Sequence, residues 1–302
     1  MVRQSPIPGP AQAPASSVVD PFEDPKKRSF FRVVAAASLS ALMWTACATH
    51  LERAKLYYSE GQESARASRT VEAAASYKRA LVEAGKASGS GSSAQAFMIK
   101  GLAETSLERW ADAETSFLRA SALGFPEGQE WAADVSRLGL AISLAELGFE
   151  DAALRSLAGL LDRSTFKPVV PEAARRWLDL NLARAANMDD KERAKSLAAT
   201  VRTLEKLVDD DFACGFHHYL LSQALSHARD YRRSFEEAAV ARGLGLLSEK
   251  VLRDNDLQAV FCYDALKKEL PPGDWGEFEA LYARWTKKWG WKDARTPGWK
   301  KE

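Results

Sequence analysis

Apolar positions along this chain change character twice. Up to residue 25 they are sparse and interrupted by Pro6, Pro8, Pro10, Pro14, Pro21 and Pro25, so this stretch buries too little surface to offset the entropy of ordering. Disorder is expected over residues 1–25. Lys26, Lys27, Arg28 and Arg32 then introduce a charge-free run of 17 residues, Val33 to Thr49. From Leu51 onward the chain is built mainly of Ala, Leu, Glu, Arg and Lys, without convincing period-two alternation, which predicts helices and no strands.

The helical part copies itself. Tyr57, Gly61, Ala73, Tyr77 and Ala80 are separated by 4, 12, 4 and 3 residues, and Phe97, Gly101, Ala113, Phe117 and Ala120 repeat those steps. Gly61 and Gly101 permit two helix backbones to approach closely, and the Ala-x3-aromatic-x2-Ala row sets a bulky side chain between two small sites on one helical face. Later copies are weaker. Phe149 followed by Ala152 matches Trp110 followed by Ala113, Tyr231 followed by Ser234 keeps the step, and Ala194 with Ala198 marks a poorer unit between them. The anchors Ala73, Ala113, Ala152, Ala194 and Ser234 fall 40, 39, 42 and 40 residues apart, which predicts five stacked helix pairs over residues 50–247.

These rows resemble the tetratricopeptide repeat, most specifically in the first two units. The resemblance implies an all-α, right-handed superhelical array of about five helix pairs, with partners bound on a concave face lined by the first helix of each pair. The period exceeds the family's, so each unit is expected to carry a longer helix or connector; HEAT-type helix pairs, which share the longer period, are the alternative. On the concave face the residues beside the core positions are Tyr58, Gln62, Gln95, Met98, Arg137, Tyr219 and Gln223, the candidate partner-binding set.

Breakers fall between the expected units: Gly85 to Ser93, Leu123 to Gly128, Lys167 to Pro171, Asp209 to Asp211, and the Gly243/Gly245 pair. The Asp209–Asp211 run is expected as a solvated cap at a helix start. Residues 248–302 read as one or two capping helices, a break at Pro271-Pro272-Gly273, and a basic tail. Trp275, Trp285, Trp289, Trp291 and Trp299 crowd this end, where Trp275, Phe278, Leu281 and Trp285 have the spacing to dock on the array. Beyond Trp289 a solvated tail and a surface for a bilayer or an anionic partner are both open readings.

Composition narrows the function. The net charge of +1 conceals +2 in residues 1–46, −6 in the body, and +5 in residues 284–302, so no nucleic-acid footprint covers the array. Three cysteines are too few for a disulfide framework, and Cys214 and Cys262 are expected as free buried thiols. Cys214-x2-His217-His218, with His227, is the one group of metal-type residues. His218 takes the aromatic place of Tyr57 and Phe97 in the register, so packing is the expectation, and no metal or cofactor is assigned. Gly89-x-Gly91 lies in a Ser-rich connector rather than between strand and helix, and no nucleophile elbow or zinc-protease motif is present, so no enzyme is expected.

Residues 26–47 follow the order of a secretory signal: basic, apolar, then small residues. Thr45-Ala46-Cys47 resembles the bacterial lipobox, which implies lipid attachment at Cys47; Trp44 departs from the family's usual Leu. An uncleaved anchor helix is the alternative, and either tethers the chain to a membrane. Ala48 after the cysteine implies, by the same resemblance, the outer membrane facing the periplasm. The expected function is a membrane-tethered scaffold for a protein or peptide partner; the alternative is a small-ligand carrier serving a transporter.

Overall fold

The computed structural model describes residues 50–89 and 93–297; the signal-like segment with Cys47 lies outside them, as does Trp299. Among the described residues there are twelve α-helices, each packed on the next in chain order, an arrangement consistent with a helical repeat array. They are α1 (His50–Arg66), α2 (Thr70–Gly89), α3 (Ala94–Ser106), α4 (Trp110–Leu123), α5 (Glu130–Glu146), α6 (Glu150–Arg163), α7 (Val170–Ala186), α8 (Asp190–Asp210), α9 (Gly215–His227), α10 (Tyr231–Leu244), α11 (Glu249–Glu269) and α12 (Pro272–Lys288). A 3-10 turn, Lys167–Val169, precedes α7. No described helix is long and apolar enough to cross a membrane.

Local chemistry sets the helix ends. Side chains of Ser93, Asp189, Asp230 and Ser248 accept backbone N–H groups from the first turns of α3, α8, α10 and α11, which satisfies donors that have no partner within the helix. Pro171 and Pro272 sit in the first turn, where the missing N–H costs nothing. The Gly85–Gly89 stretch, expected as a breaker, instead continues α2 to Gly89. Nothing crowds Gly85 or Gly89, so the helix tolerates them at a propensity cost alone.

The even helices α2 to α10 begin at Thr70, Trp110, Glu150, Asp190 and Tyr231, steps of 40, 40, 40 and 41 residues, and the odd helices α1 to α9 end with the same steps. Four of the five turns between them share one geometry. The N–H groups of Arg69, Arg109, Phe149 and Asp230 donate to the carbonyls of Ser64, Glu104, Leu144 and Leu225 at 2.8–2.9 Å. The preceding residues, Ser68, Glu108, Gly148 and Arg229, lie at positive φ, as this helix stop requires. The remaining turn, after α7, is closed differently: Arg193 donates from Nε to the Ala185 carbonyl (3.1 Å) and from Nη2 to the Met188 carbonyl (2.8 Å).

Arg193 is also the fourth residue of its helix, the place held by Ala73, Ala113, Ala153 and Ser234, all of which are buried. The anchor expected at Ala152 is therefore Ala153, whose face continues through buried Leu157 and Leu160. Ala194 and Ala198, expected as anchors, are exposed, because α8 packs through Leu197, Thr200, Val201 and Leu204 instead.

Glycines on the odd helices make room for rings of the even ones. A Cβ on Gly61 would meet the Tyr77 ring at 2.5 Å, and one on Gly101 would meet Phe117 at 2.9 Å. Odd helices also touch one another at α1–α3, α3–α5, α7–α9 and α9–α11, whereas even helices are not packed together to a comparable extent. Between α5 and α7 the 3-10 turn intervenes, held by Asp134, whose carboxylate accepts from Ser164 Oγ (2.7 Å) and the Phe166 N–H (3.3 Å).

A second core joins α10, α11 and α12. Phe235, Cys262, Tyr263, Phe278, Tyr282 and Trp291 are buried there, with ring centroids 4.4–6.2 Å apart for Tyr263–Tyr282, Phe235–Tyr282, Phe235–Phe278 and Tyr282–Trp291. Trp275, Trp285 and Trp289 pack against its edge, so docking extends past Trp289 to Trp291. The Tyr282 hydroxyl donates to the Ala294 carbonyl at 2.6 Å and folds the tail back onto α12.

Candidate functional site

The seven residues expected on a first-helix face do not form one exposed surface. Tyr58, Gln62, Met98 and Tyr219 are buried, because each odd helix is covered by its own even partner and its odd neighbours and, from α3 onward, by the preceding even helix. Burial pushes the Tyr58 hydroxyl up to about 12, against the smaller opposing effects of Gln62 and Ser106. The other three are partly or fully open. Gln95 donates to Gln129 (2.7 Å), Arg137 to Asp134 (2.9 Å) and Gln223 to the Tyr219 hydroxyl (2.8 Å).

A different position stands out once the 40-residue steps are in place. Tyr57 and Phe97 each carry an arginine from the paired helix above the ring, Arg79 at 5.9 Å and Arg119 at 5.7 Å from the centroid. One further step from Phe97 reaches Arg137, and the next reaches Trp177; from the covering arginines the same steps reach Gly159 and Ala199. Trp177 thus has an alanine where the first two units have a cation, and its ring is left to line a hollow between α6 and α8. The hollow holds about 440 Å³ and is walled by Ala158, Leu161, Arg202, Thr203 and Leu207. Lys206 donates to Asp162 across it at 2.9 Å. That bond lowers the Asp162 pKa and raises that of Lys206, although both groups are exposed.

Around the Trp177 ring the hollow is lined by Ala158, Leu161 and Leu207, with Arg202, Lys206 and Asp210 of α8 on one side and Asp162 of α6 on the other. Sequence reasoning missed Trp177 because the anchors at Ala152 and Ala194 slipped the register by one residue. Counting from Phe97 in steps of 40 reaches it. A second hollow, near 550 Å³, is bounded by exposed Phe149, Glu150, Asp151, Arg155 and Arg184, with Arg184 donating to Asp151 at 2.8 Å.

Of the metal-type residues, Cys214 caps α9 and His217, His218 and His227 lie on that helix. His218 is fully engaged: Nδ1 faces Glu237 Oε2 at 2.6 Å and Nε2 faces the Phe212 carbonyl at 3.0 Å, so both ring nitrogens donate. Burial opposes charge on this ring, but the Glu237 carboxylate and the Phe212 carbonyl outweigh it, and its pKa is raised. His218 keeps the packed role expected of it, against Phe212 with ring centroids 5.0 Å apart. His217 is buried as well, yet neither of its ring nitrogens has a hydrogen-bond partner. His227, at the end of α9, has its pKa lowered by burial. Cys214 and Cys262 are both free thiols, with Cys262 bonded to Ser234 Oγ at 3.2 Å.

Comparison with models of known protein families finds no match, and no curated protein matches the chain at a significant level.

Proposed function

We propose that this chain is a membrane-tethered scaffold, resembling a right-handed tetratricopeptide array with α11 and α12 as its cap, that binds a protein or peptide segment. The observation that carries the reading is the half-buried Trp177 ring lining an open cleft, at a register position where Tyr57 and Phe97 each have an arginine over the ring. A partner segment would place an apolar or aromatic side chain on Trp177 and its charges against Arg202, Lys206 and Asp210. Exposed walls on both sides favour a docked segment over an enclosed small molecule, so scaffold is preferred to carrier. The tether would be lipid on Cys47 at the outer membrane, as the lipobox resemblance implies.

Affinity capture with the full-length chain tests the cleft. Trp177→Ala and Arg202→Glu should each lose partners that wild type and Phe149→Ala retain; equal capture by all four would remove the cleft from consideration. Metabolic labelling with an alkyne fatty acid tests the tether, and labelling that survives Cys47→Ser would exclude lipid at that residue.

A further inference from the structure

We infer that the turn joining α8 to α9 is a zinc site whose protein ligands are Asp211, Cys214 and His217. One ligand atom from each, a carboxylate oxygen, the thiol sulfur and a ring nitrogen, lies within 4.8 Å of the other two. The chain places them by regular spacing: the Cys214 N–H donates to the Asp211 carbonyl (3.1 Å), closing a turn, and the His217 N–H donates to the Cys214 carbonyl (3.0 Å), opening α9. Three residues at steps of three therefore face one point.

The independent observation is His217. Its side chain is buried, with the residue only 3% exposed, and both ring nitrogens lack a partner. A buried imidazole nitrogen without a partner is costly to the fold, and a bound metal would satisfy the one that faces it. The Leu207 carbonyl, which accepts the Asp211 N–H at 3.2 Å, also favours the charged ring, yet it does not meet either ring nitrogen in hydrogen-bond geometry. Burial, the largest influence, lowers the His217 pKa and so favours the neutral ring, the form that ligates metal.

The surroundings suit a divalent cation. Asp209, Asp210 and Asp211 lie at the C-terminal end of α8, not at a helix start as the sequence implied, and carboxylates there oppose the helix dipole. The ligand atoms already lie within 4.8 Å of one another, and Asp211 is exposed, so its side chain is free to adjust to the ~3.3–3.8 Å between ligands that tetrahedral zinc geometry requires. The neighbouring His218–Phe212 carbonyl bond holds the turn from outside the ligand set. Cys214 is a thiol held above its ordinary range by burial; on binding, its sulfur bonds to zinc and the proton passes to water. Three protein ligands leave the fourth place for a water molecule.

Cobalt(II) titration of the chelator-treated full-length chain tests the site, with zinc competition to follow. One cobalt per chain is expected, with a thiolate-to-cobalt charge-transfer band that zinc abolishes, that is lost in Cys214→Ser, and that needs at least about tenfold more cobalt in Asp211→Asn and His217→Gln. Because Asp211 is exposed, its variant keeps the fold and reads ligation alone. No band in a wild-type chain with full helical circular dichroism, or a band that survives Cys214→Ser, would overturn the assignment.

Discussion

The ring of Phe117 fills the space that Gly139 leaves by having no side chain. Phe117 on α4 also faces Gly101 on α3, so one ring is gripped by glycines of two successive odd helices. Gly139→Ala should therefore cost about 1–3 kcal/mol, since the ring has no room to retreat. Gly85→Ala, inside α2 with nothing crowding it, should instead stabilise by about 0.5–1 kcal/mol through backbone entropy. Urea midpoints of the two variants check this, and a shift of the same sign in both would refute it.

Arg242 joins the array to its cap. Its guanidinium donates from Nη1 to both Asp256 oxygens at 2.8 and 2.9 Å and lies 5.0 Å from the Trp289 centroid. Asp256 is wholly buried. Arg242→Leu should cost about 3–5 kcal/mol by leaving that carboxylate without its guanidinium, and adding Asp256→Leu should recover most of the loss. Thermal unfolding of the single and double variants decides, and a double variant no better than the single would count against the argument.

The His218–Glu237 pair should give stability a pH dependence of definite sign. The folded pKa of His218 is raised above the ordinary 6.5, so its contribution is full below that value and is lost as pH rises through the folded pKa. His217 and His227 have lowered values and act oppositely, losing their contribution as pH falls below 6.5. Comparison of wild type with Glu237→Gln cancels them. The stability gap should be larger at about pH 5.5 than at about pH 8.5; a gap that widens with pH would contradict the bond.

The helical class and the first two units were legible because both parts of the contact were written in the sequence: Gly61 with Tyr77, and Gly101 with Phe117. The later units were less so. Ala152 and Ala153 are adjacent alanines, and only the burial of Leu157 and Leu160 decides which one faces inward. In the fourth unit the small anchor is replaced by Arg193, which closes a turn instead of filling a core site. Tyr58, Gln62, Met98 and Tyr219 were misplaced for a general reason: in an array, a residue beside the pair's own core faces the next helix rather than solvent. The Asp211–Cys214–His217 grouping was half visible as Cys214-x2-His217, but the aspartate belongs to the preceding helix end.

Contacts between chain neighbours also govern how the molecule assembles. Since α2 to α10 each meet the helices just before and after them, most contacts close over short loops, and loop-closure entropy rises only as the logarithm of that length. Folding can then nucleate in any pair and spread in both directions, with the glycine-gripped Phe117 units the strongest starting point. The aromatic core of α10 to α12 gathers residues from Phe235 to Trp291, so it ties together more of the chain than a single helix pair does.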